Sequence, residues 1–153
     1  QAGLPAPDRF FDVEDGRQVN VKGATGALSS TEAVRAYIPL VAPGGYFVFQ
    51  DNGAQATQTE WATLLQTIVD LLPDDRCLIG VLPVAVAPMT AATISDVAAK
   101  ANIMVAKFNQ HPCHEYVRWN QKVNADPTLV YDGQHPTQAG IDYLTAEITA
   151  QTS

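Results

Sequence analysis

The sequence predicts an α/β fold, a three-layer αβα sandwich around a parallel sheet, and two observations carry that prediction. Short apolar runs rich in branched and aromatic residues alternate along the chain with longer stretches of helical spacing, the pattern of βα units joined by right-handed crossovers. The runs at 46–50 and 77–82 also lack strict polar–apolar alternation, as strands do when helices cover both faces of a sheet.

Residues 9–13, 46–50, 77–82 and 116–119 read as strands bounded by turn residues. Ser29 followed by Glu32 is a capping box that opens a helix towards Ile38, which Pro39 ends or kinks. Thr57 and Glu60 repeat that signal. Trp61, Leu64, Leu65, Ile68, Val69 and Leu72 then form one apolar stripe before Pro73. From about Thr93, residues Ile94, Val97, Ala101, Met104 and Phe108 keep one helical face buried. A last helix opens at Thr137 and carries Ile141, Leu144 and Ile148. Trp61 and Trp119 fall on periodic apolar positions and are expected in the core.

The 153 residues fit one domain, 1–153, without repeats or low-complexity segments. A net charge of -7, with nine Lys and Arg spread along the chain, excludes a phosphate-tracking groove, so nucleic acid is not expected as a partner. No apolar run approaches the roughly 20 residues that span a bilayer. The opening Gln-Ala-Gly-Leu-Pro reads like the interior of a longer polypeptide, so any signal peptide or membrane anchor would have to lie upstream of Gln1. The spacing of Cys77 and Cys113 fits one disulfide or two buried thiols.

In open parallel sheets, ligands sit beyond the carboxyl ends of the strands. There the chain places Asp15-Gly16-Arg17-Gln18, then Gln50-Asp51-Asn52-Gly53, then Tyr131-Asp132-Gly133-Gln134-His135-Pro136-Thr137. An Asp three residues before a His, with Gly between, lets one tight loop set a carboxylate on the imidazole Nδ1 while Nε2 faces a cleft. Such a pair fixes the tautomer and stabilises the imidazolium formed when the ring takes a hydroxyl proton. Pro136 disfavours helical geometry at His135 and leaves Thr137 to cap the next helix. Asn52 and the amide of Gly16 are candidate donors to a developing oxyanion. The cluster His111-Pro112-Cys113-His114-Glu115 is too thin for structural zinc and is expected as a helix-to-strand loop. Neither a metal nor a cofactor is expected.

In order and register, these three loops resemble the second, third and fifth conserved blocks of SGNH, or GDSL-type, hydrolases. The likeness is strongest to SGNH domains at the ends of bacterial membrane acyltransferases and in related envelope esterases. It runs over residues 10–148. The resemblance implies the flavodoxin-like form of the sandwich, with Asp132 and His135 as acid and base of a Ser-His-Asp triad. It further implies Asn52 and Gly16 in the oxyanion hole. Arg17, Asp51 and Gly53 are candidate substrate contacts, Asp51 standing where the family usually has a small polar residue. The implied substrate is an acylated glycan or glycolipid of the cell envelope, and the implied location is extracytoplasmic.

The family's nucleophile lies in a Gly-Asp-Ser segment, and this chain has none. Ser29, Ser30, Ser95 and Ser153 lack that context. In such a fold the nucleophile strand sits inside the sheet. Removing it would strand rows of backbone amides and carbonyls, each costing on the order of 1 to 3 kcal/mol. The first strand and its serine are therefore expected upstream of Gln1, in an N-terminal segment or on another chain such as a membrane acyltransferase domain. The competing expectation is a catalytically inactive module that binds glycan or a partner protein.

Overall fold

The computed structural model describes residues 19–20 and 28–153. The expected strand at 9–13, together with Gly16 and Arg17, lies outside the described residues.

Helix α1, Ser30–Tyr37, starts on the anticipated capping box: Ser29 Oγ accepts from the Glu32 amide, and the Glu32 carboxylate accepts from the Ser29 amide. Pro39 ends the helix by falling in a 3-10 turn, Ile38–Leu40. Strand β1, Tyr46–Gln50, leads into α2, Gln58–Leu71, whose cap is the Thr57–Glu60 box. Strand β2, Cys77–Val81, is followed by α3, Ala91–Phe108. Helix α3 begins slightly earlier than its apolar spacing indicated. Thr90 caps it by accepting from the Thr93 amide, with no acidic partner at the third position to advertise the start.

Strand β3 is His114–Val117, shifted towards the amino terminus from the expected 116–119. Register explains the shift: β3 pairs with β2 from Leu78↔His114 to Val81↔Val117, which already uses the full paired length of β2. Trp119 instead opens a short helix, α4, Trp119–Ala125. Its first turn has no side-chain cap, so nothing in the local sequence announced it. Helix α5, Gln138–Gln151, is capped by Thr137 as expected.

Among the described residues the sheet has the order β1-β2-β3, and both pairings are parallel. Side chains of β2 alternate between two cores. Leu78 joins Phe49, Trp61, Leu65, Ile68, Met104 and Phe108 under α2 and α3. Ile79 and Val81 join Val117, Trp119, Val123 and Leu144 under α4 and α5. Burial of each large apolar side chain contributes about 1.5–3 kcal/mol. Helices thus cover both faces, giving the three layers read from the sequence, and both tryptophans are core residues. Gly80 admits α3 close to the sheet, since a Cβ there would lie 2.8 Å from the Phe108 ring.

Cys77 and Cys113 form a disulfide that joins the amino ends of β2 and β3. Beside it His111, 1% exposed, has Nδ1 2.9 Å from the Cys113 carbonyl oxygen and Nε2 3.1 Å from that of Leu72. Its ring ties the α2–β2 corner to the α3–β3 corner, so this cluster is explained by packing. No helix among the described residues is long and apolar enough to cross a membrane.

Candidate functional site

Because the strands are parallel, the segments that leave β1 and β2 emerge at the same end of the sheet. The last loop reaches that end by docking on the segment after β2: the Val86 amide donates to the Gly133 carbonyl at 2.9 Å. The loop is closed by an antiparallel bridge between Val130 and Pro136 and by the Tyr131 amide donating to the His135 carbonyl at 3.0 Å. Gly133 makes the turn with φ +94°, a conformation that other residues rarely adopt.

Within this loop the Asp132 carboxylate organises everything around it. Its Oδ1 accepts from the amides of His135 at 2.7 Å and Gln134 at 3.0 Å, and its Oδ2 lies 2.5 Å from His135 Nδ1. An ionised carboxylate only accepts, so Nδ1 carries the proton and, in the neutral ring, Nε2 holds the free lone pair. Nε2 makes no hydrogen bond among the described residues, and the side chain is 57% exposed. A base so oriented can take a proton from a hydroxyl presented from outside the loop.

Burial acts to raise the Asp132 pKa, but the His135 and Gln134 amides and then the His135 ring outweigh it, and the carboxyl is held at about 2. Because this value lies below the usual aspartate value near 3.9, the pair's contribution to stability is fully present above about pH 4. It is lost as the pH falls through about 2. A carboxyl-carbon NMR titration of Asp132 is expected to show a midpoint near 2; an ordinary midpoint near 4 would mean that the amide contacts do not form in solution.

Sequence reasoning missed Tyr131. Its ring is 70% exposed and stacks on the His135 imidazole, with centroids 5.8 Å apart and planes 22° from parallel. The only available signal was an aromatic residue directly before the Asp-Gly-Gln-His run.

The loop after β1 is held from two sides. Asp51 Oδ1 accepts from the Gly53 amide at 2.7 Å, and its Oδ2 accepts from the Ser30 hydroxyl at 2.6 Å. Ser30 is the first residue of α1, where the helix N-terminus favours a negative charge, so the carboxylate flagged in the sequence is compensated inside the fold. Gly53 has φ +66°, and its carbonyl accepts from the Lys100 ammonium at 2.9 Å. Between these two fixed residues, the half-buried Asn52 carboxamide makes no hydrogen bond among the described residues. The structure therefore joins Asp132 to His135 directly and sets Asn52 and Gly53 at the end of an adjacent strand. Gly16 and Arg17 lie outside the described residues.

A parallel sheet covered by helices, with polar loops at its carboxyl end, is a three-layer α/β fold. Among solved structures the chain is similar to LAE5, an α/β hydrolase enzyme from the metagenome of Lake Arreo, Spain. The TM-score is 0.58 at 13% identity, over 82% of this chain and 70% of that one. At that identity the likeness speaks for the fold. No protein-family model and no curated protein matches the chain.

Proposed function

We propose that this chain is the His- and Asp-bearing part of an SGNH-type serine esterase or O-acyltransferase that acts on acyl esters of cell-envelope glycans or glycolipids. The observation that carries the reading is the Asp132–His135 pair, with Nδ1 2.5 Å from the carboxylate, Nε2 without a hydrogen bond among the described residues, and the side chain exposed.

In this reading a serine hydroxyl gives its proton to His135 Nε2 as its oxygen attacks the ester carbonyl. Asp132 stabilises the imidazolium that results. The Asn52 carboxamide and the Gly16 amide donate to the oxyanion of the tetrahedral intermediate. Nε2 returns the proton to the departing alcohol, leaving an acyl-serine. Water or a sugar hydroxyl then attacks the acyl group while Nε2 takes its proton, and the acyl–serine bond breaks as Nε2 returns that proton to the serine oxygen. Arg17 contacts the substrate beside this centre.

The serine belongs to a strand that pairs with β1 on the side opposite β2, carried by an N-terminal segment or by an associated membrane acyltransferase domain. Among the described residues β1 has a ladder partner only in β2, which supports that placement. The Cys77–Cys113 disulfide supports an extracytoplasmic setting, because such bonds persist in oxidising compartments.

The test is to express the polypeptide with the residues that precede Gln1 and treat it with a fluorophosphonate. One labelled serine and p-nitrophenyl acetate turnover are expected. Absence of both would favour the non-catalytic binding module, to which the lack of a Gly-Asp-Ser segment in this chain points.

A further inference from the structure

We propose that Lys100 is the positioning residue that holds the Asn52 loop in its oxyanion-binding form, an inference that rests on the esterase reading above. Lysine is almost never fully buried unless its charge is paired, yet the Lys100 side chain is 2% exposed. Its ammonium has three protons to place, and it places them on Gly53 O at 2.9 Å, Ala56 O at 2.7 Å and Asp96 Oδ2 at 2.7 Å. Asp96 lies one turn back on α3, so the pair is local to that helix. The other two acceptors are main-chain oxygens of the single loop that carries Asn52.

That choice of partners has a chemical consequence. A backbone carbonyl aimed at a developing oxyanion would repel it, and the ammonium draws two such oxygens into the interior instead. Gly53 makes this possible. Its positive φ turns the carbonyl inward, and a Cβ at that position would lie 2.9 Å from the Trp61 ring and 3.1 Å from Lys100 Cδ. Lys100 is itself anchored, since Trp61 Nε1 donates to its carbonyl at 2.9 Å. From the other side, Asp51 holds the Gly53 amide and is held by Ser30. Both chain neighbours of Asn52 are tied down while its own carboxamide makes no hydrogen bond among the described residues, the condition a preorganised donor needs.

The experiment is a double-mutant cycle in the polypeptide that carries the nucleophile. Asn52→Ala is expected to lower kcat by about 10²- to 10³-fold. Lys100→Met is expected to lower it by roughly 10- to 100-fold with KM little changed, since a displaced donor acts on the transition state. The double variant should be no slower than Asn52→Ala alone, because Lys100 acts through Asn52. Losses that multiply would overturn the proposal. If Lys100→Met does not fold, Asp96→Asn, which removes the ammonium's one charged partner, is read in the same cycle with the same criteria. If the parent shows no turnover, or His135→Ala leaves turnover intact, the esterase reading fails, and amide exchange in Lys100→Met then decides the brace separately. Faster exchange at Gly53 and Ala56, with Ile79 and Val81 unchanged, keeps it; unchanged exchange at all four sinks it.

Discussion

Replacing His135 by alanine in the nucleophile-bearing polypeptide is expected to slow ester turnover by about 10⁴-fold or more, the scale on which triad bases act. In the proposed mechanism His135 moves a proton during bond formation and does not anchor substrate, so the effect should fall on kcat. Asp132→Asn is a sharper variant. An asparagine oxygen can still accept the His135 and Gln134 amides, so the loop keeps its shape. Its NH₂ group, however, now faces Nδ1, which must become an acceptor, and the ring proton moves to Nε2. A ring in that tautomer cannot take the serine proton, and a loss of about 10³- to 10⁴-fold is expected, with a modest fall in the thermal transition as the ionised carboxylate's contribution is lost. Initial rates with p-nitrophenyl acetate, paired with a melting curve, read both quantities. Retention of more than a tenth of parental kcat in Asp132→Asn would remove the carboxylate from the mechanism.

Gly133→Ala is expected to damage stability and turnover together. The residue holds φ +94°, which costs a non-glycine residue about 1–2 kcal/mol. A Cβ there would also overlap the Val86 carbonyl oxygen and lie 2.9 Å from Met89 Cγ. Overpacking of this kind costs typically 1–3 kcal/mol, so a loss of roughly 2–4 kcal/mol is expected from urea unfolding. The loop can relieve the overlap only by lifting off the segment after β2, carrying Asp132 and His135 with it. A displacement near 1 Å at such a centre lowers rate by about 10²-fold. Parental stability and rate in this variant would show that the loop does not dock as described.

What the sequence made legible follows from which signals are local. The capping boxes at Ser29 and Thr57, the stop at Pro73 and the cap at Thr137 each involve neighbours in the chain, and all four helix ends lie where those residues indicated. The Asp132–His135 contact was legible for the same reason, its two members being three residues apart in a tight turn. Strand β3 was misplaced because its limits are set by pairing with β2, a partner distant in sequence. Helix α4 was missed because no cap marks it and its burial comes from Trp119 and Val123 packing under the sheet. Lys100 was invisible for a related reason: one lysine in an apolar helical stripe reads as an interruption until Gly53 and Ala56 are seen to lie over its ammonium. Asp51 stands out in the sequence as a carboxylate where the resembled family usually has a small polar residue, and only the folded chain brings the Ser30 hydroxyl to it.

The covalent link between β2 and β3 sits at the pole of the sheet away from the reactive loops. Thermal endurance and the geometry of the Asp132–His135 loop are therefore set from opposite ends of one scaffold. A reductant that opens the Cys77–Cys113 bond is expected to lower resistance to heat while the Asp132–His135 contact persists at ambient temperature.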